Sequence, residues 1–347
     1  MDRERIISLQ ILRFFAAMAV VTLHVRNLVP MVAGASGSGV AFNALESGAA
    51  GVDVFFVLSG LVIALTGPLA KPQPSGAVFF WRRWRRVAPL YFLLTIPVLV
   101  AAIRSGGLDP GRVAATFLFW PYAAARPAYP YLEPGWTLCF EMAFYASVAL
   151  ALALAKSRRA VICAALAVGA LSIFNGLFLE FGFGLAMASN RDRIMRLGAP
   201  LGVLLIFASL AVIILEASFH LTPIDESYAL LGGRGTLRHV IAVGLPSACI
   251  VAGTLALEPW AKGRLASLLS AGGDASFAIY LTNQTGANAA VSLLRFLPSW
   301  SWAATAASFC LGMPLLFGLV IHRWIERPIL RDLKRLRLLA RPVAAAD

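Results

Sequence analysis

Charge is what this chain has least of. Only 14% of its 347 residues are Asp, Glu, Lys or Arg, against about 25% in soluble globular proteins. A soluble domain with a charged surface is therefore excluded. Cysteine is also sparse: Cys139, Cys163, Cys249 and Cys310 all sit in apolar runs without metal-ligand spacing, so they are expected to be small packing residues. The four histidines, His24, His220, His239 and His322, are scattered, and no metal is expected. No internal repeat is evident, which counts against an inverted-repeat transporter. No second folded domain is expected in any tail or linker.

What the chain does have is apolar sequence, at 59% hydrophobic residues and a mean hydropathy of +0.78. Apolar runs follow one another near 8–29, 49–70, 87–103, 136–155, 160–175, 177–189, 198–216, 237–257, 274–295 and 301–321. The expected fold is all-α, a polytopic membrane protein of about ten transmembrane helices. One membrane domain is expected over 1–330, with a short basic cytoplasmic tail over 331–347. Val113 to Trp120 is too short to cross and reads as a re-entrant or interfacial element. Ala33-Gly34-Ala35 loosely resembles a signal cleavage site. Arg13 inside the first run, together with its length, makes a retained helix the expectation.

A net charge of +13 suggests nucleic acid until its placement is considered. With the N-terminus inside, 22 of the 30 Lys and Arg fall on cytoplasmic segments. That bias follows the positive-inside rule and predicts both termini in the cytoplasm. The charge then sets topology and meets anionic lipid headgroups, with no nucleic acid partner.

Ionisable residues inside a span are costly and are read first as functional candidates. Arg13 and His24 share the first run, and eleven helical residues bring them to one face about 16 Å apart along the axis. Arg82, Arg83, Arg85 and Arg86 form the strongest basic cluster; guanidinium forks suit phosphate, although topology alone would also account for them. Trp81 and Trp84 suit stacking on a base or anchoring at the interface. Glu141 lies one turn before Tyr145, where it can fix the tautomer of His24, pair with Arg13 or accept from a bound hydroxyl. Asp53 stands near a helix start, favoured there by the macrodipole. Trp136 offers an aromatic face and equally suits the interfacial belt, and Ser59-Gly60 permits close helix packing.

Five stretches occur in order: LQILRFFAAMAVVTLH (Leu9 to His24), GVDVFFVLSG (Gly51 to Gly60), FFWRRWRRVAPLY (Phe79 to Tyr91), PGWTLCFEMAFY (Pro134 to Tyr145) and DASFAIYLTNQ (Asp274 to Gln284). In these motifs, over nearly its whole length, the chain resembles the membrane-bound acyltransferase 3 family, especially its exopolysaccharide and O-antigen acetyltransferase branch. The resemblance implies a multi-pass protein of the bacterial inner membrane that moves an acyl group, usually acetyl, from cytoplasmic acyl-CoA to a hydroxyl of an exported or surface glycan. Acetyl-CoA would be the co-substrate, and polysaccharide biosynthesis machinery a possible neighbour.

On that resemblance His24, Glu141 and Arg13 are the expected catalytic group. His24 would act as general base or as acyl carrier, and Arg13 would meet the CoA pyrophosphate or thioester region or orient a carboxylate. Arg82, Arg83, Arg86 and Tyr91 are expected to bind the cofactor. Asp53, Trp136, Tyr145 and Asn283 are expected to bind substrate. Asn283 departs from the family pattern, standing where many relatives carry histidine; an amide is no general base near neutral pH. Ile325-Glu326-Arg327-Pro328 resembles the family's end and also suits a helix cap. Two other readings stay open at this level: a transporter or translocase of a lipid-linked glycan, and a scaffold within an export complex.

Overall fold

The computed structural model describes residues 6–33, 39–120, 122–123, 127–128, 130–221, 236–294, 296 and 302–339. Arg3, Arg5, the small-residue site after Ala33 and the end of the basic tail lie outside them. Apart from a two-residue antiparallel pair, Tyr122–Ala123 with Pro127–Ala128, the described regular structure is helical.

In chain order the helices are α1 (Ile7–Ala33), α2 (Val40–Ala44), α3 (Ala50–Thr66), α4 (Gly76–Arg104), α5 (Pro110–Leu118), α6 (Gly135–Leu154), α7 (Arg158–Ser172) and α8 (Phe178–Ser189). They continue with α9 (Arg191–Met195), α10 (Gly198–Phe219), α11 (Thr236–His239), α12 (Leu245–Ala256), α13 (Gly263–Asp274), α14 (Ser276–Leu294), α15 (Trp302–Ile321) and α16 (Arg327–Leu339). Two π-helical turns, Val240–Gly244 and His322–Glu326, join α11 to α12 and α15 to α16.

Seven helical segments among the described residues are long and apolar enough to cross a bilayer. The other three predicted spans are helical too, as α7, α8 and α14. However, α7 and α8 are short, and α14 carries Thr282, Asn283, Gln284 and Asn288 along its length. Most of the short stretch Val113 to Trp120 lies in the nine-residue α5, about 14 Å long. Asp109 starts it by accepting from the backbone N–H of Gly111 and Arg112. The basic region after Arg327 is helical through 331, so that position marks no break.

The outer surface carries large apolar side chains. Leu204, Phe207, Leu215 and Phe219 of α10 are exposed, the inverse of a soluble fold and suited to lipid. The interior is aromatic, with Phe56, Phe140, Phe144, Phe178 and Phe181 fully buried and in contact as rings. Gly60 and Gly184 let α3 and α8 cross backbone to backbone; a methyl on Gly184 would stand 2.7 Å from the Gly60 Cα.

The start of α1 is fixed from far along the chain. Both oxygens of Glu258 accept backbone N–H groups there, from Ile7 at 2.9 Å and Ser8 at 2.7 Å. A carboxylate at a helix N-terminus satisfies unpaired donors and meets the positive end of the dipole. This fixes the helix that carries Arg13 and His24.

Candidate active site

Two cavities open along the same set of helices. The first, about 100 Å³, is basic: Arg13, Arg83 and Arg86 line it with Ser59, Glu141 and Tyr145. The second, about 360 Å³, is acidic: Glu46, Asp53, Glu133 and Glu216 line it with His24 and Trp136. Along α1 the lining passes from Arg13 to His24, along α3 from Ser59 to Asp53, and along α6 from Glu141 to Trp136. Val52, Phe56 and Tyr280 belong to both linings and so form the wall between them.

The wall is held by polar and aromatic contacts. Tyr280 Oη lies 3.0 Å from Thr137 Oγ1 and 3.4 Å from the Pro134 carbonyl. Its ring meets Phe55 edge-on, with centroids 5.9 Å apart. Phe56 meets Trp136 edge-on at 6.4 Å. These contacts tie α3, α6 and α14 together at the point where the cavities meet.

In the basic cavity Ser59 Oγ donates to Glu141 Oε1 at 2.6 Å. Arg13 lies in the field of Glu141 and Glu326, which attract its charge, and of Arg86, which opposes it. Glu141 therefore belongs to the Arg13 end, and of the three roles open to it in the sequence, holding the His24 tautomer does not match this geometry. Arg83 donates to Thr66 Oγ1 and lies 5.8 Å from the Phe79 ring centroid. Arg86 is exposed.

The second π turn supports the same end. Arg327 Nε donates to His322 Nε2 at 3.1 Å, so that nitrogen is the acceptor and Nδ1 carries the proton. Nδ1 then donates to Glu326 Oε2 at 2.6 Å. His322 and Glu326 are both buried, so Ile325-Glu326-Arg327-Pro328 does more than cap a helix.

In the acidic cavity Arg26 and Glu46 form an ion pair at 2.6 Å, and His220 Nδ1 lies 3.2 Å from the other Glu46 oxygen. Asp53 Oδ1 is 2.7 Å from His239 Nε2. Asp53 thus reaches the cavity already bound to an imidazole. His24 faces the same space as Glu133 and Trp136.

The structure gathers Arg13, Arg83, Arg86, Glu141 and Tyr145 at one cavity, and His24, Asp53 and Trp136 at the other. Three predicted site residues line neither. Arg82 is half-buried outside the lining. Tyr91 is fully buried, packing on Phe92 and Phe119 and closing against Gly135, so it acts in the helix interface. Asn283 is fully buried, and its Nδ2 donates to the Tyr280 carbonyl at 2.7 Å. It supports the wall residue from behind.

Glu180, Glu216, His239, Tyr280, His322 and Glu326 were not selected from sequence as site residues. Glu180 and Glu216 stand in the apolar runs GLFLEFGF and VIILEASF, so the rule that picked out Arg13 and His24 applies equally to them.

Comparison with known proteins follows this geometry. A family model described as an acyltransferase domain, of the acyltransferase 3 type, matches residues 6–321. The exopolysaccharide production protein ExoZ of Rhizobium meliloti is 28% identical over 306 residues, covering 82% of this chain and 90% of its own. The acyltransferase MdmB of Streptomyces mycarofaciens is 26% identical over 395 aligned positions, covering 99% of this chain and 95% of its own. No solved structure matches the chain.

Proposed function

The chain belongs to the acyltransferase 3 family, a membrane acyltransferase, and from this premise we propose that it transfers an acyl group, most simply acetyl, from cytoplasmic acyl-CoA to a hydroxyl of an exported or surface glycan. The observation that carries the reading is the pair of cavities meeting at Val52, Phe56 and Tyr280, with Arg13 in one and His24 in the other.

CoA is too highly charged to cross a bilayer, whereas an acyl group on a thioester is small and apolar at its reacting end. The basic cavity suits the donor. In this reading the thioester arm enters it and the nucleotide stays outside, where exposed Arg86 can meet phosphate. The larger acidic cavity, with Trp136 and several carboxylates, suits a sugar, whose hydroxyls donate to carboxylates and whose ring lies on an aromatic face. His24 at that cavity takes the hydroxyl proton or carries the acyl group as an acyl-imidazole. This reading places the basic cavity at the cytoplasmic face of the bacterial inner membrane and both termini on that side.

The test is the ester-linked acyl content of surface polysaccharide, read by proton NMR in a deletion host carrying wild type or His24→Ala. One acyl signal lost on deletion and restored only by wild type is expected. Identical spectra in all strains refute the assignment.

The shared wall also supports a second reading, a translocase that passes a lipid-linked glycan between the cavities. Glycan movement across reconstituted vesicles without any acyl donor would favour it.

A further inference from the structure

A reacting imidazole is normally oriented by a third group, and Glu141 belongs to the Arg13 end. His24 is partly exposed at the acidic cavity, and among the described residues neither of its ring nitrogens has a hydrogen-bond or ion-pair partner. Four carboxylates line that cavity: Glu46, Asp53, Glu133 and Glu216. Glu46 holds Arg26 and His220. Asp53 is bound to His239 Nε2, and Glu216 acts in the field of the same imidazole. Glu133 is the carboxylate whose charge is felt at His24.

The backbone around Glu133 is fixed on both sides. Tyr131 Oη accepts the backbone N–H of Asp109 at 2.7 Å, and the Tyr131 N–H donates to Thr116 Oγ1 at 3.2 Å. Arg112 donates to the Pro130 carbonyl at 3.2 Å and lies 4.4 Å from the Tyr131 ring centroid. Beyond Glu133, Thr137 Oγ1 donates to the Pro134 carbonyl at 2.9 Å, and the Trp136 N–H donates to the Glu133 carbonyl at 3.2 Å. Thus α5, too short to cross a bilayer, clamps the segment that presents Glu133 and Trp136 to the cavity.

We infer that Glu133 is the positioning residue of His24: its carboxylate takes the N–H of the ring nitrogen turned away from the acceptor and balances the positive charge the ring gains. This rests on the acyl-transfer reading above, and such hydrogen bonds tighten when substrate is bound. In either role open to His24 the ring becomes a cation. As a base it takes the hydroxyl proton while the hydroxyl oxygen bonds to the acyl carbon; the bond from that carbon to the CoA sulfur breaks, and its electron pair leaves on the thiolate. As an acyl carrier its nitrogen lone pair bonds to the acyl carbon, the same bond to sulfur breaks, and an acyl-imidazolium and a thiolate result. In both cases the proton on the second ring nitrogen stays in place, facing Glu133.

Ring-nitrogen NMR of the full chain, isotope-labelled at histidine and held in lipid nanodiscs, tests the pairing. Signals lost in His24→Gln belong to His24. Glu133→Gln, which keeps the shape, is expected to move them, and Glu141→Gln to leave them in place. Signals unmoved by Glu133→Gln, or moved equally by Glu141→Gln, overturn the pairing. Kinetics test its role. Glu133→Gln is expected to lower kcat by about 10–100-fold, the scale of one opposite charge beside a titrating group, with the KM for acyl-CoA within twofold of wild type. In Glu133→Ala, added formate returns a carboxylate to the open cavity and should restore part of the loss, while chloride at the same ionic strength restores none. A kcat within twofold of wild type in Glu133→Gln, or a loss in Glu133→Ala that formate does not relieve, overturns the role. A wild-type chain with no transfer at all refutes the acyl-transfer reading, while the NMR result still decides the pairing independently.

Discussion

Arg13 and His24 lie on one helix, eleven residues apart, and open into different cavities. The helix is thereby a ruler about 16 Å long between two chemical environments. One environment gathers guanidinium groups around a single carboxylate; the other gathers carboxylates around imidazoles. Among the described residues, Val52, Phe56 and Tyr280 are the ones that stand in both linings, which puts them between the two environments.

The first prediction concerns the basic cavity. Arg86→Ala removes an exposed guanidinium at its mouth, and a hydrogen bond to a charged group contributes about 1.5–3 kcal/mol. Acyl-CoA affinity should fall by at least tenfold, with weaker salt dependence of the remaining binding. Arg85 instead donates to the Leu333 carbonyl at 3.4 Å, and Arg85→Ala should leave that affinity unchanged. Isothermal titration in detergent distinguishes the two variants.

Glu141 should act on the donor side. Its contact with Ser59 and its position in the field of Arg13 predict that Glu141→Gln raises the KM for acyl-CoA about tenfold and leaves the KM for the acceptor unchanged. Ser59→Ala, which removes one neutral donor, should have a smaller effect in the same direction. Steady-state kinetics with each substrate varied in turn checks both; an acceptor-side effect would contradict the placement.

Much of this arrangement was legible in the sequence, because a charged residue in an apolar run is conspicuous. Arg13, His24 and Glu141 were found in that way, and the 3.6-residue period put Arg13 and His24 on one face. The partners were not legible. Pairing with Arg13 was one of three roles open to Glu141, but nothing in the sequence places it beside Ser59, or His239 beside Asp53, since these pairs join helices distant along the chain. Tyr91 and Asn283 show the converse: Tyr91 was read as part of the family's pattern and Asn283 as a departure from it, but tertiary packing turned both side chains into the helix interfaces. The π turns after His239 and at His322 have no periodic signature either.

The wall between the cavities should control coupling. Tyr280→Phe loses the hydroxyl that meets Thr137 and the Pro134 carbonyl but keeps the ring, so it should retain transfer. Tyr280→Ala opens the wall, and acyl-CoA hydrolysis without acceptor should rise relative to transfer. A thiol-release assay, with and without glycan, reads the ratio.

Stability should depend on Glu258. It caps α1 through two backbone N–H groups, and loss of a cap costs about 0.5–2 kcal/mol. Glu258→Ala is therefore expected to lower the midpoint of thermal unfolding by a few degrees, measured in the same detergent as wild type. Because α1 carries both Arg13 and His24, activity should fall with it.

The most direct test of the two-cavity account is sided transfer in proteoliposomes of known orientation. Radiolabelled acetyl-CoA is supplied only at the face bearing Arg86, and glycan acceptor only at the opposite face. The account predicts labelled acceptor from wild type and none from His24→Ala. Label reaching the acceptor only when both substrates share one face would contradict it.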